Sequence, residues 1–62
     1  MNYSKLLKNI RDKKLLTQEE LAKELGVSFA TVNRIEGNLH MPSFATRRKI
    51  HKYCELNGIT LK

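Results

Sequence analysis

Apolar residues at the start of the chain recur with the spacing of an amphipathic helix. Tyr3, Leu7 and Ile10 lie at positions i, i+4 and i+7, and Leu6 lies beside them. This spacing places the apolar side chains on one face of a helix and the intervening polar side chains on the other. The pattern predicts a first helix over about residues 3–14.

Capping signals predict a second helix. Thr17, with Glu20 three residues later, has the form of a capping box, in which each residue's side chain accepts a hydrogen bond from the other's backbone amide. The helix then continues through Leu21 and Leu25. Gly26 supplies the left-handed backbone conformation that ends a helix.

Two serines predict the starts of two more helices. Ser28 caps a third helix that ends near residue 37, and Ser43 caps a fourth over about residues 44–56. No credible pair of strands is present. The sequence therefore predicts an all-α fold of four to five short helices, arranged as a single domain over residues 1–62.

The charge of the chain points to an acidic partner. Twelve Lys and Arg residues against six Asp and Glu residues give a net charge of +6 and a pI near 9.8. Residues 1–16 and 37–62 each carry +4, whereas residues 17–36 carry −2. Nucleic acid is the first candidate partner. Because aromatic residues make up only 6% of the chain and Trp is absent, a stacking platform for single strands is not expected.

Other classes of function lack the residues that they need. No apolar run exceeds two residues, so neither a membrane span nor a signal peptide is expected. The single cysteine, Cys54, cannot form an internal disulfide, which favours a reducing, cytoplasmic location. His51 and Cys54 share a helix face, but a zinc site needs about four ligands. We therefore expect no metal, no cofactor, no small-molecule ligand and no enzyme activity.

The most informative stretch covers residues 18–37 and reads QEELAKELGVSFATVNRIEG. Two short helices joined by a three-residue turn cross at roughly 90–120°. The small Ala22 suits the close approach of the second helix, and Gly26 suits the turn. The stretch resembles the Cro/repressor-like (Xre-type) helix-turn-helix family of bacterial and phage DNA-binding regulators.

Flanking segments extend the resemblance beyond this core. The upstream run from Arg11 to Ala22 and the downstream run from Ile35 to Ser43 are both similar to the family. Together the similar segments cover about residues 5–57. The resemblance implies a lambda-repressor-like fold whose third helix enters the major groove of DNA.

The resemblance also implies which residues face the bases. Arg34 is the strongest candidate, because its guanidinium can donate twice to guanine. Phe29 and Ala30 suit contact with a thymine methyl group, although Phe29 could instead fold back onto the core. Asn33 could reach an adenine or a phosphate, or be a solvated surface residue. The expected base contacts are Ser28, Phe29, Ala30, Asn33 and Arg34.

A second set of residues is implied to contact the DNA backbone. Gln18 matches a family glutamine that contacts phosphate and braces the recognition helix, although glutamine is also a good first-turn residue in its own right. Arg11 and Glu36 occupy the positions of a structural salt bridge in related repressors. The expected backbone contacts are Thr17, Gln18, Thr31, Asn38, His40 and Ser43.

The sequence departs from the family pattern at three places. Leu15 stands where glycine is common, and Arg47 stands where the family tends to have an apolar residue. The family's fifth helix is missing, so only Ile59 and Leu61 remain to cover that end of the core. Because the family's usual dimer surface lies there, the geometry of a homodimer cannot be transferred to this chain.

The combined interpretation is sequence-specific binding of double-stranded DNA by a small bacterial or phage transcriptional regulator, for which a homodimer on two half-sites is the expected form. The alternative is a protein-interaction module, such as an antitoxin-like or controller subunit, whose main role is to bind a partner protein. RNA binding is less favoured, because the A-form major groove is too narrow to admit a recognition helix.

Overall fold

The computed structural model describes residues 2–60, and all regular structure within them is α-helical. This confirms the predicted all-α class, with four helices in the described part of the chain. The helix bounds agree closely with those predicted. The helices are α1 (Tyr3–Lys14), α2 (Gln18–Leu25), α3 (Phe29–Glu36) and α4 (Phe44–Leu56).

Each helix begins at a side chain that accepts a hydrogen bond from a backbone amide of its first turn. Asn2, Thr17, Ser28 and Ser43 are the four N-caps. At Thr17 both hydrogen bonds of the predicted capping box are present. These caps satisfy amides that have no partner inside the helix, which explains why the starts of α2, α3 and α4 could be predicted from Thr17, Ser28 and Ser43.

Two of the helix ends use left-handed backbone. Gly26 ends α2 with φ of 76°, as predicted. Leu15 ends α1 with φ of 56°, a conformation that is unfavourable for a side chain with a Cβ atom. This explains in physical terms why a glycine would suit the position of Leu15.

The core lies where α1, α2 and α3 meet and continues under α4. α3 packs against both α1 and α2, and α4 packs against α2. Ile59 is partly buried against this core, whereas Leu61 lies outside the described residues. The buried apolar residues are Leu6, Leu7, Ile10, Leu21, Ala22, Leu25, Val32, Ile35, Ile50, Tyr53 and Cys54.

None of the helices in residues 2–60 combines the length and the apolar character that crossing a membrane requires. The longest of them, α4, has 13 residues, of which only one face is buried.

Candidate nucleic-acid interface

The outer face of α3 is built by helical spacing. Val32 and Ile35 point into the core and are almost completely buried. The side chains on the opposite side of the helix are therefore left in solvent. The exposed residues at this face are Ser28, Phe29, Ala30, Asn33 and Arg34.

Arg34 and Phe29 are the two large side chains of this face. Arg34 is exposed, and its guanidinium takes part in no hydrogen bond or ion pair within residues 2–60. Phe29 is 49% exposed and lies outside the buried cluster. The structure thus disagrees with the alternative in which Phe29 folds back onto the core.

Hydroxyl groups are concentrated at the N-terminus of α3. The Ser28 hydroxyl oxygen accepts from the Thr31 amide at 3.2 Å and lies 2.9 Å from the Thr31 hydroxyl. Both hydroxyls are therefore positioned by the cap itself. Thr31 is partly buried, whereas Ser28 is exposed.

The C-terminal end of α3 is held by a buried carboxylate. The guanidinium of Arg11 donates through Nε to Glu36 Oε2 at 2.7 Å and through Nη2 to Glu36 Oε1 at 2.8 Å. The Ser4 hydroxyl donates to the backbone carbonyl of Glu36 at 2.6 Å. The two parallel hydrogen bonds between Arg11 and Glu36 form the strongest geometry that an arginine and a carboxylate can adopt. It joins α1 to the last turn of α3.

This environment holds Glu36 in its ionised form. Burial alone would raise the pKa of the Glu36 carboxyl, but the hydrogen bonds from Arg11 and Gln18, together with the charges of Arg11 and Lys8, outweigh burial. The pKa of Glu36 is consequently lowered, and the hydrogen bond to Glu36 raises the pKa of Arg11.

Gln18 connects this ion pair to the exposed face of α3. Its Nε2 donates to Glu36 Oε1 at 3.1 Å, and its Oε1 accepts from Asn33 Nδ2 at 3.1 Å. We call these four side chains, Arg11, Glu36, Gln18 and Asn33, the polar network. Gln18 thereby braces α3 from the first turn of α2. Sequence reasoning missed the bond between Gln18 and Asn33, which are 15 residues apart and carry no local signal.

The remaining candidates for backbone contact fall into two groups. The hydroxyl oxygens of Thr17 and Ser43 accept from backbone amides as N-caps. Asn38 and His40 are exposed in the loop after α3, and their side chains make no hydrogen bond within residues 2–60. Asn38 has left-handed backbone with φ of 58°.

The first turns of α4 carry an exposed aromatic ring between two cations. Phe44 is 68% exposed, and the guanidinium carbons of Arg47 and Arg48 each lie 5.9 Å from the centre of its ring. A groove of about 360 Å³ runs between these residues and Tyr3 and His51. Arg47 thus faces solvent rather than the core. Sequence reasoning singled out Arg47 but not Phe44.

The His51 and Cys54 pair has a structural setting. The Nε2 atom of His51 lies 2.9 Å from the Tyr3 hydroxyl. Cys54 is completely buried, and burial raises the pKa of its thiol. Residues 2–60 contain no group of three His, Cys, Asp or Glu side chains arranged to hold a metal ion.

Comparison with known proteins gives one match. A family model described as "Helix-turn-helix" matches residues 7–61. The matched range includes α2, α3 and α4 in full and most of α1. No curated protein and no solved structure matches the chain.

Proposed function

The chain belongs to the Cro/repressor-like (Xre-type) helix-turn-helix family of non-enzymatic, DNA-binding domains, and on this premise we propose that it is a sequence-specific transcriptional regulator. In this proposal α3 lies in the major groove of double-stranded DNA. The observation that carries it is the exposed, unpaired Arg34 on a helix whose opposite face is fixed in the core.

The exposed face of α3 supplies the proposed base contacts. The guanidinium of Arg34 donates to O6 and N7 of a guanine, which is worth about 1–3 kcal/mol of discrimination. Phe29 and Ala30 present apolar surface to a thymine methyl group. Ser28 and Asn33 complete the proposed base-contacting set.

Neighbouring polar groups supply the proposed contacts to phosphate. Gln18 uses one N–H of its carboxamide inside the polar network, and a second N–H is left for a phosphate oxygen. Amides at the N-terminus of α2 add a positive dipole end. The proposed backbone-contacting residues are Thr17, Gln18, Thr31, Asn38, His40 and Ser43, with the Arg11–Glu36 pair as structural support.

A single domain of this size reads few base pairs. We therefore propose that the chain acts as a homodimer on two half-sites about one helical turn apart. The net charge of +6 supports association with DNA through counterion release. The bacterial or phage origin and the cytoplasmic location are part of the same proposal.

Selection from a randomised duplex library at near-physiological salt tests the proposal. We expect an enriched inverted repeat. On the selected duplex, Arg34→Ala should weaken binding by about 1–3 kcal/mol and relax the preference at one base pair in each half-site. The matched control is His40→Ala, which should weaken binding to every duplex by about 0.5–1 kcal/mol and leave the base preference unchanged.

Binding without any enriched sequence would contradict the proposed specificity. If Arg34→Ala and His40→Ala reduced affinity equally for all duplexes, the assignment of base readout to Arg34 would be wrong.

One observation favours the alternative role as a protein-interaction module. Three large apolar side chains lie exposed between the end of α3 and the start of α4, with Leu39 at 79% and Met41 and Phe44 at 68%. Large exposed apolar surfaces often mark interaction sites. Sedimentation equilibrium of the wild type and of Phe44→Ser tests this role. Association that Phe44→Ser abolishes, in a chain that selects no DNA sequence, would support it.

A further inference from the structure

We propose that Asn33 reads an adenine, and that the rest of the polar network fixes the direction in which its carboxamide faces the base. This inference rests on the proposed function, since it requires α3 to lie in the major groove. It assigns a specificity-determining role to Asn33 and a positioning role to Arg11, Glu36 and Gln18.

The direction is set at the buried end of the network. An ionised carboxylate only accepts hydrogen bonds. Both oxygens of Glu36 already accept from Arg11, and Oε1 accepts a further bond from Gln18. The group of Gln18 that faces Glu36 therefore has to be the NH₂ group.

This constraint passes through Gln18 to the surface. With its NH₂ group directed at Glu36, Gln18 presents its carbonyl oxygen to Asn33. A carbonyl oxygen can be satisfied only by a donor. Asn33 accordingly turns its Nδ2 group towards Gln18, at 3.1 Å, and its orientation about the Cβ–Cγ bond is determined.

The remaining polar groups of Asn33 match one base edge. Nδ2 keeps a second N–H, and Oδ1 accepts no hydrogen bond within residues 2–60. A donor beside an acceptor complements N7 and the N6 amino group of adenine. Guanine presents two acceptors at the same positions, so one of them would face the oxygen of Asn33. An asparagine without this network could turn its carboxamide over and present the reversed pattern.

The first test uses 7-deazaadenine, which lacks the N7 acceptor, in place of each adenine of the selected duplex in turn. One replacement in each half-site should weaken wild-type binding by about 2- to 12-fold, the value of one neutral hydrogen bond. In Asn33→Ala the same replacement should have no effect. If no adenine shows this dependence on Asn33, the assignment of Asn33 is overturned.

The second test addresses the network itself. The carboxamide introduced by Glu36→Gln can either donate or accept hydrogen bonds. The side-chain amide of Gln18, and in turn that of Asn33, is then free to rotate into the reversed orientation. The ratio of affinities for the adenine and 7-deazaadenine duplexes should fall towards one. A purely structural role would lower both affinities alike and leave the ratio unchanged. Gln18→Met, which keeps the Arg11–Glu36 pair, should give the same loss of ratio and serves if Glu36→Gln does not fold.

The outcomes separate this inference from the proposed function. If the wild type selects no sequence, the proposed function fails. If it selects a sequence that contains no Asn33-dependent adenine, only the readout by Asn33 fails. If that adenine exists but Glu36→Gln and Gln18→Met keep the wild-type ratio, the positioning role of the network is wrong.

Discussion

α3 and α4 are held in the fold by different kinds of contact. α3 buries Val32 and Ile35, and side chains from α1 and α2 also hold its last turn through hydrogen bonds to both the carboxylate and the carbonyl of Glu36. α4 is held mainly by the burial of Ile50, Tyr53 and Cys54 along one face. Within residues 2–60, the side chains of Tyr53 and Lys49 donate hydrogen bonds to α2 and the turn after it, and His51 contacts the Tyr3 hydroxyl of α1.

This difference in how α3 and α4 are held corresponds to a difference in the side chains that the two helices expose to solvent. Apolar burial has no preferred direction, whereas a hydrogen bond restricts both distance and angle. The contacts at Glu36 therefore fix the rotation of α3 about its own axis, which the proposed reading of base edges by α3 requires. The outer face of α4, with Phe44 beside Arg47 and Arg48, carries no comparable set of contacts within residues 2–60.

Removal of the cation that pairs with Glu36 should reveal how much α3 depends on this contact. We expect Arg11→Met to lower the free energy of unfolding at neutral pH by about 2–4 kcal/mol. The loss stays below that of a fully buried pair because the Arg11 side chain is 28% exposed. Urea denaturation measures it. Lys13→Met, which removes an exposed cation from the same helix, should change stability by less than about 0.5 kcal/mol.

The effect of Arg11→Met should also depend on pH. Because the pKa of Glu36 is lowered in the folded state, its stabilising contribution is present above the ordinary carboxylate pKa. That contribution is lost as pH falls through the folded pKa. The wild type and Arg11→Met should therefore differ less at about pH 3 than at neutral pH. If Arg11→Met lowered the free energy of unfolding equally at both pH values, the ion pair with Glu36 would not be the cause of the lost stability.

The contact between Tyr53 of α4 and Glu24 of α2 should lose its contribution to stability at alkaline pH. Burial and the hydrogen bond to Glu24 raise the pKa of Tyr53 from 10.0 to about 12. The stability from this group is complete below pH 10 and is lost as pH rises towards 12, because the unfolded chain ionises first. Over this pH range, we expect the free energy of unfolding of the wild type to fall by roughly 2–3 kcal/mol relative to that of Tyr53→Phe.

Alkaline denaturation of the two proteins, which differ only in the hydroxyl group of Tyr53, measures this difference. Tyrosinate absorbance of Tyr3→Phe gives the ionisation of Tyr53 itself. A midpoint close to that of a free tyrosine would show that packing against α2 does not shield the Tyr53 hydroxyl.

The smallest effect is expected at the turn after α1. Leu15 is 87% exposed and has left-handed backbone. Leu15→Gly should therefore remove strain without removing packing and raise stability by about 0.5–1 kcal/mol. Leu15→Ala keeps the Cβ atom and should give no such gain. Thermal denaturation distinguishes the two, and a destabilised Leu15→Gly would mean that the leucine side chain makes a contribution its exposure does not reveal.

Much of the fold could be predicted because its signals are local. A capping box joins Thr17 to Glu20 within one helical turn, and Gly26 permits its left-handed φ whatever surrounds it. Helical spacing alone separated the buried Val32 and Ile35 from the exposed residues of α3. For the candidate site, Arg34 was nominated by the resemblance to the family together with the ability of its guanidinium to donate twice to guanine.

Contacts between helices could be decided only by the tertiary structure. Gln18 meets Asn33 across 15 residues of sequence, and Ser4 meets the carbonyl of Glu36 across 32. Neither pair has a characteristic spacing, because each depends on how far two helices are rotated and displaced against each other. The sequence by itself determined where the helices begin and end and which faces are apolar. The packing of those faces decided which polar groups meet, and so which way Asn33 is turned at the surface.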